Sequence, residues 1–337
     1  LNRYRKDCKF GDVLTQDSID KTLLLLFIFR KCASINPKAP TPIKGLECRL
    51  QFKSANPKPY TRGLPRLSPA DMIVQCEMTN AMLKAGVIEY ADSEWSTGVV
   101  MAKKKGTTDK RYAVDYRGLN AELIGNVIGV PRIDDLLDHW GKSKWFSTFD
   151  LASAFWSIPM KESHRKYTAF HAYCDGGFQQ YQFKVMPFGI APGSSIFQAA
   201  FQRVVRNLPF CKVYIDDGVC STDTESYDDH LQQLAHIFVR LEANNLTMKM
   251  TKSLWGTKTL PIVGHVIKAG QGCMADPSKI EAMLDLAPPS TIQLLKSLLG
   301  AAGYLSKYIE SYAAIVLPLR EMDDDRPGYT NIDEEWS

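Results

Sequence analysis

Three aspartates are the residues of this sequence best placed to do chemistry. Asp216 and Asp217 are adjacent, between the apolar runs 211–215 and 218–220. Apolar runs flanking an acidic pair read as a β-hairpin with acids at its tip. Neighbouring strand residues point to opposite faces, but at a tight turn both side chains reach the same open end. Two like charges this close repel, and a bare pair has one raised pKa. A divalent cation removes that penalty, which points to a metal site for handling phosphates. Aspartate is also a common turn residue, and Tyr214-Ile215-Asp216-Asp217 alone favours a plain polar turn. Asp150 is the third carboxylate, at the end of an expected strand over 145–149. Three carboxylates can hold two Mg²⁺ ions ~3.5–4 Å apart, the geometry of in-line phosphoryl transfer.

The elements that position these acids follow from periodicity and punctuation. Ser68-Pro69-Ala70-Asp71 opens a helix, with Ser as N-cap, Pro at the first helical position and an acid in the first turn. Met72, Cys76, Met82 and Leu83 give its apolar face, and Gly86 ends it. Strands are expected over 87–90, 98–101 and 112–114, with 103–110 as the loop joining the last two. A helix covers 131–140 and a strand 145–149. Strands 167–171 and 181–185 pair around Asp175-Gly176-Gly177. Ser194 and Ser195 cap a helix carrying Phe197, Phe201, Val204 and Val205 at helical spacing. A helix over 230–244 turns Leu231, Leu234, Ile237, Phe238 and Leu241 inward, and a strand runs over 262–267. Helix 278–286 stops at Pro288-Pro289. Ser290-Thr291-Ile292-Gln293 forms a capping box opening a longer helix. The order describes an α+β body with a helical appendage.

Composition sets the class. The chain has 337 residues, 45% hydrophobic and 23% charged, with net charge +4. That suits a soluble protein with two or three subdomains, not a DNA-coating protein. The charge is uneven: six basic and two acidic residues lie between Lys103 and Arg117. A basic stretch suits phosphates. The eight cysteines are scattered, without zinc spacing, and read as reduced thiols. The apolar run 22–29 is far short of the ~20 residues of a membrane span and follows a charged leader with no cleavage site. It reads as a buried or partner-facing helix, and the chain as intracellular and not secreted.

The order of motifs resembles the reverse transcriptase of an LTR retrotransposon of gypsy type, the polymerase portion of a Pol polyprotein. Leu83-Lys84-Ala85-Gly86-Val87-Ile88-Glu89 and Ser93-Glu94-Trp95-Ser96-Thr97-Gly98-Val99-Val100 resemble its first helix and fingers strand. Lys103-Lys104-Lys105-Gly106 and Arg111-Tyr112-Ala113-Val114-Asp115-Tyr116-Arg117-Gly118-Leu119-Asn120 resemble its nucleotide-binding fingers hairpin. Phe146-Ser147-Thr148-Phe149-Asp150-Leu151-Ala152-Ser153-Ala154-Phe155 is similar to its first catalytic motif, and Met186-Pro187-Phe188-Gly189-Ile190 to the next. Tyr214-Ile215-Asp216-Asp217 matches the catalytic hairpin. Val263-Gly264-His265-Val266-Ile267 resembles the primer grip, and Leu298-Leu299-Gly300-Ala301-Ala302-Gly303-Tyr304 a thumb-helix motif. Gly193-Ser194-Ser195 departs from the family's Ala-rich stretch, and 124–129 is atypical; neither touches the acids.

The resemblance implies a right-hand polymerase fold of fingers, palm and thumb, with an antiparallel palm sheet carrying the acids and a helical thumb. Its divisions are an N-terminal connector with a short apolar helix at 1–59, fingers at 60–124 and 157–192, and palm at 125–156 and 193–269. The thumb follows at 270–320 and the start of a connection region at 321–337. It implies an RNA-directed DNA polymerase that works by two-metal nucleotidyl transfer with Mg²⁺, or Mn²⁺ as substitute. Asp150, Asp216 and Asp217 would bind the metals with the Leu151 carbonyl. Lys104, Arg111, Phe155, Phe188 and, more weakly, Lys252 would meet the incoming deoxynucleoside triphosphate, Phe155 excluding a 2′-hydroxyl. Tyr214, Val263, Gly264 and His265 would meet primer and template, and Tyr304, Lys307 and Tyr308 the duplex. Implied partners are an RNA/DNA template–primer and other segments of the polyprotein, RNase H and integrase, in a cytoplasmic particle or the nucleus. The rival readings are a catalytically silent, domesticated scaffold and a polymerase of the related plant pararetroviruses.

Overall fold

One five-stranded sheet carries all three aspartates or their turn. Its order is Lys9–Phe10, Leu254–Thr257, Trp145–Asp150, Asp217–Thr222, Cys211–Tyr214. The computed structural model describes residues 2–34, 41–63, 66–103, 110–125 and 133–322. Trp145–Asp150 is central, with Phe146 and Phe149 buried, and pairs antiparallel with both neighbours. Two helices pack on the sheet, Gly193–Val204 and Tyr227–Ala243. They bury Phe197, Phe201 and Val204 from one, and Leu234, Ile237, Phe238 and Leu241 from the other. Each such side chain contributes about 1.5–3 kcal/mol when fully buried. The sheet is antiparallel except at its edge, where Lys9–Phe10 runs parallel to Leu254–Trp255. The segment expected as a connector thus adds an edge strand, flanked by helices Asn2–Asp7 and Gln16–Ile28.

A second five-stranded sheet has the order Ile88–Tyr90, Gly177–Phe183, Phe170–Cys174, Thr97–Lys103, Lys110–Val114. Helix Pro69–Lys84 packs on it, capped as expected by Ser68, whose Oγ accepts from Asp71 N at 3.1 Å. Its buried stripe differs from the apolar one: Gln75, Thr79 and Met82 face inward. Two of these are polar because they find partners. Gln75 Oε1 accepts from Tyr173 N at 3.0 Å, and Thr79 Oγ1 meets Tyr112 Oη at 3.1 Å. The strand expected from 167 starts at Phe170, because Glu162–Thr168 winds as a 3-10 helix. There Thr168 Oγ1 donates to Arg165 O and accepts from Phe183 N.

Side-chain capping explains other shifts. The helix expected at 230 starts at Tyr227, because Ser226 Oγ accepts from Asp229 N. Ser194 and Ser195 do not cap their helix; it begins at Gly193, and Ser195 Oγ donates back to Pro192 O. The long helix Ile292–Tyr304 is capped by Thr291, one residue beyond the expected Ser290.

The chain divides into two units, residues 1–136 with 143–258, and 137–142 with 259–337. Both sheets above belong to the first. In the second, the strand expected over 262–267 is a hairpin, Thr259–Ile262 and His265–Lys268, joined by Val263 and Gly264 at φ 43° and 68°. A third strand, Gly272–Ala275, and helices Pro277–Leu284, Ile292–Tyr304 and Tyr312–Glu321 complete it. Among the described residues no helix is long and apolar enough to cross a membrane. All eight cysteines are free.

Candidate active site

The acidic hairpin has a two-residue turn, Ile215-Asp216, between the paired Tyr214 and Asp217. Ile215 sits at φ 56°. A β-branched residue in this left-handed region is strained, on the order of 1–3 kcal/mol. Gln198, fully buried in helix Gly193–Val204, holds the turn from below. Its Oε1 accepts from Ile215 N at 2.6 Å, and its Nε2 donates to Val213 O at 3.0 Å.

The register of the two central strands sets Asp150 directly opposite Asp217. Asp216 is tied to the same corner, since its carbonyl accepts from Leu151 N at 3.2 Å. The Asp217 carboxyl is pushed up to about 6 by partial burial, then by the charges of Asp216 and Asp150; Lys252 opposes the shift. Lys252 Nζ lies 2.9 Å from Asp150 Oδ2. That lysine is 58% exposed, so the pair adds little stability. Among the described residues no three His, Cys, Asp or Glu side chains converge as a ready-made metal cage. The donors nonetheless fit a hard cation: carboxylates in mutual repulsion, one of them held by a displaceable lysine.

Five residues beyond Asp150 in the chain, Phe155 belongs to an aromatic cluster. The Phe155 ring is 4.9 Å from that of Phe188 and stacks on Phe197 at 5.8 Å. Phe188 is 55% exposed. Tyr214, half-buried, ends the hairpin's first strand. Arg111 is exposed on strand Lys110–Val114, opposite Ala102. Lys104 lies outside the described residues. Val263, Gly264 and His265 belong to the second unit, where His265 is buried and its Nδ1 bonds Tyr308 Oη at 2.8 Å. Tyr304 Oη donates to Val263 O, and its ring lies 5.0 Å from that of His265. The tyrosines expected at a duplex therefore brace this hairpin.

Gln198 escaped the reading of the sequence. Its signal is an amide directly after Phe197 on the buried face that also carries Ala200, Phe201 and Val204.

A family model described as "Reverse transcriptase (RNA-dependent DNA polymerase)" matches residues 102–267, which contain the acidic hairpin and its partner strand. Residues 102–267 of the chain belong to the reverse-transcriptase family. The match and the transposon relatives support a reverse transcriptase of an LTR retrotransposon. The Drosophila melanogaster "Retrovirus-related Pol polyprotein from transposon gypsy" is 29% identical over 93% of the chain and 30% of its own length. The corresponding polyprotein from transposon opus is 32% identical over 82% of the chain and 27% of its own length. The chain thus spans under a third of these relatives. A foamy viral protease–reverse transcriptase solved with an RNA/DNA hybrid aligns with a TM-score of 0.79. It is 20% identical and covers 97% of this chain and 42% of that one. A second, with double-stranded DNA, gives 0.76 at 20% identity, over 95% and 64%. These likenesses show the right-hand polymerase fold.

Proposed function

We propose that this reverse transcriptase is an active RNA-directed DNA polymerase, extending a primer on an RNA or DNA template. The observation that carries this reading is the register placing Asp150 opposite Asp217, with Asp216 in the adjoining turn. Asp150, Asp216, Asp217 and the Leu151 carbonyl would hold two Mg²⁺ ions, or Mn²⁺ in their place. Bound there, the ions supply charge neutralisation at the attacking 3′-oxygen, the triphosphate and the leaving pyrophosphate. The chain's own side chains do the positioning. Phe155 and Phe188 wall the sugar, with Phe155 excluding a 2′-hydroxyl. Arg111 and Lys104 meet the triphosphate, the guanidinium fork pairing with phosphate oxygens. Lys252, already beside Asp150, is a further phosphate cation. Tyr214, Val263, Gly264 and His265 act on the primer and template.

The template–primer duplex is gripped mainly through its backbone, so binding weakens as salt rises. Other segments of the polyprotein, RNase H and integrase, are its partners in an intracellular particle or the nucleus. Primer extension on an RNA template with Mg²⁺ is the test. Asp216→Asn abolishes extension and spares duplex binding. No product from the wild type, beside a working control enzyme, overturns the reading. Duplex binding without extension supports the scaffold instead.

A further inference from the structure

The strand that leads back to Lys252 carries an irregularity. Leu254 pairs with Thr148 and Thr257 with Phe146, so one extra residue sits on the Leu254–Thr257 side. This is a β-bulge, and Gly256 stands in it at φ 63°. An added Cβ would meet Tyr227 Oη at 2.6 Å and Leu14 Cδ1 at 2.7 Å. The Gly256 N–H donates to a side chain, Ser147 Oγ, at 2.9 Å. Ser147 is fully buried and meets His230 Nε2 at 2.8 Å. His230, also fully buried, meets Thr222 Oγ1 through Nδ1 at 2.7 Å. Thr222 in turn donates to Gln233 Oε1 at 2.6 Å.

These contacts fix the protons. Thr222 has one hydroxyl proton and gives it to Gln233, so it accepts from His230 Nδ1–H. Nε2 is then bare and accepts the Ser147 hydroxyl, leaving the Ser147 oxygen to accept from Gly256. Only neutral imidazole fits; burial and then the charge of Lys258 push the His230 pKa down to about 3. The relay joins three strands of the acid-bearing sheet to helix Tyr227–Ala243.

We propose that His230 is a positioning residue which, through Ser147, pins the bulge at Gly256 and thereby sets Lys252 against Asp150. Lys252 ends the 3-10 turn Met250–Lys252 just before this strand, so a bulge that slipped by one residue would shift Lys252 along the sheet and away from Asp150. This assignment rests on the polymerase reading for its importance, but not for its test.

The test reads metal binding directly, by Mn²⁺ electron paramagnetic resonance on the metal-free chain, with primer extension alongside. Lys252 puts a competing positive charge beside the acids, so Lys252→Ala tightens Mn²⁺ binding about fivefold. His230→Asn keeps a donor for Thr222 but no acceptor for Ser147, and tightens it in the same direction. The double variant goes no further, because both act through one contact. His230→Gln places Oε1 near the Nε2 position and binds Mn²⁺ as the wild type does. A purely structural histidine predicts the reverse: His230→Asn leaves Mn²⁺ affinity unchanged or weaker, and that result overturns the proposal. Ser147→Ala gives the same readout should His230→Asn not fold. In the wild type, ¹⁵N spectra show His230 protonated at Nδ1; protonation at Nε2 overturns it too. If wild-type extension fails while the Mn²⁺ pattern holds, the polymerase reading falls and the positioning role stands.

Discussion

Gln198 grips the acidic hairpin at Ile215 and Val213, accepting the Ile215 N–H and donating to the Val213 carbonyl. The strained φ of Ile215 persists because this buried amide meets both groups. Gln198→Ala leaves a donor and an acceptor unpaired in the interior. We expect a loss of about 2–6 kcal/mol, from a cost of about 1–3 kcal/mol for each of the two buried groups left unmade. Urea unfolding measures it. Extension should fall about a hundredfold in kcat with little change in duplex affinity, since a displacement near 1 Å at the acids costs about that much.

The raised pKa of Asp217 makes a stability prediction with a definite sign. The folded chain holds this proton up to about pH 6, whereas an unfolded aspartate releases it near pH 3.9. As pH rises through this window the unfolded chain loses its proton first, and the folded state loses stability relative to it. The cost is complete above pH 6 and absent below 4. Asp217→Asn therefore raises the Tm of the metal-free chain at pH 7.5, on the order of a few degrees, and leaves it unchanged near pH 4. Mg²⁺ should raise the wild-type Tm at pH 7.5 and do so much less in the variant. A calorimetric Tm equal in both chains at pH 7.5 would remove the repulsion from the account.

The grouping of the three acids was legible in the sequence. Asp216 and Asp217 announced themselves as acids between apolar runs, Asp150 as the acid ending a strand, and Ser68-Pro69 as a helix start. What escaped was set by contacts between distant residues. Gln75 and Thr79 look like surface residues in sequence; their burial depends on Tyr173 and Tyr112. The Val263-Gly264 turn was hidden in the largely apolar stretch 262–267, which reads as one strand until Tyr304 is seen against it. Lys9–Phe10 is too short for periodicity to mark it as a strand; only its pairing with Leu254–Trp255 does so. Hydrogen-bond partners of Gln198 and His230 lie on other elements, and no local pattern encodes them.

The Phe155 ring is fixed by Phe188 and Phe197, which makes it a wall and not a swinging side chain. Phe155→Val shortens that wall and keeps an apolar surface. Incorporation of ribonucleotides relative to deoxyribonucleotides should rise at least about tenfold in kcat/KM, the scale on which removing bulk relaxes a pocket. Single-nucleotide extension with each substrate measures the ratio. Unchanged discrimination would move the sugar away from this ring.

Gly218 follows Asp217 in the hairpin and faces Phe149, the residue before Asp150, across the strands. A Cβ on Gly218 would come within 2.3 Å of Phe149 Cε2 and 2.4 Å of Cζ. The ring is 1% exposed and packs edge-on against Phe201 at 6.3 Å, so it has no free direction in which to retreat. Gly218→Ala therefore forces the two central strands apart beside both acids. Overpacking of this kind costs about 1–3 kcal/mol, and extension should fall with it. Phe149→Leu alone removes ring atoms and leaves a cavity, which is destabilising in its own right. The two changes fill each other's defect, so the double variant should be more stable than the sum of the single losses predicts, by about 1 kcal/mol or more. Extension should recover in parallel, because the Asp150–Asp217 register closes again. A double variant whose losses simply add would show that the ring yields without moving the strands, and that the acids are held by the Gln198 clamp alone.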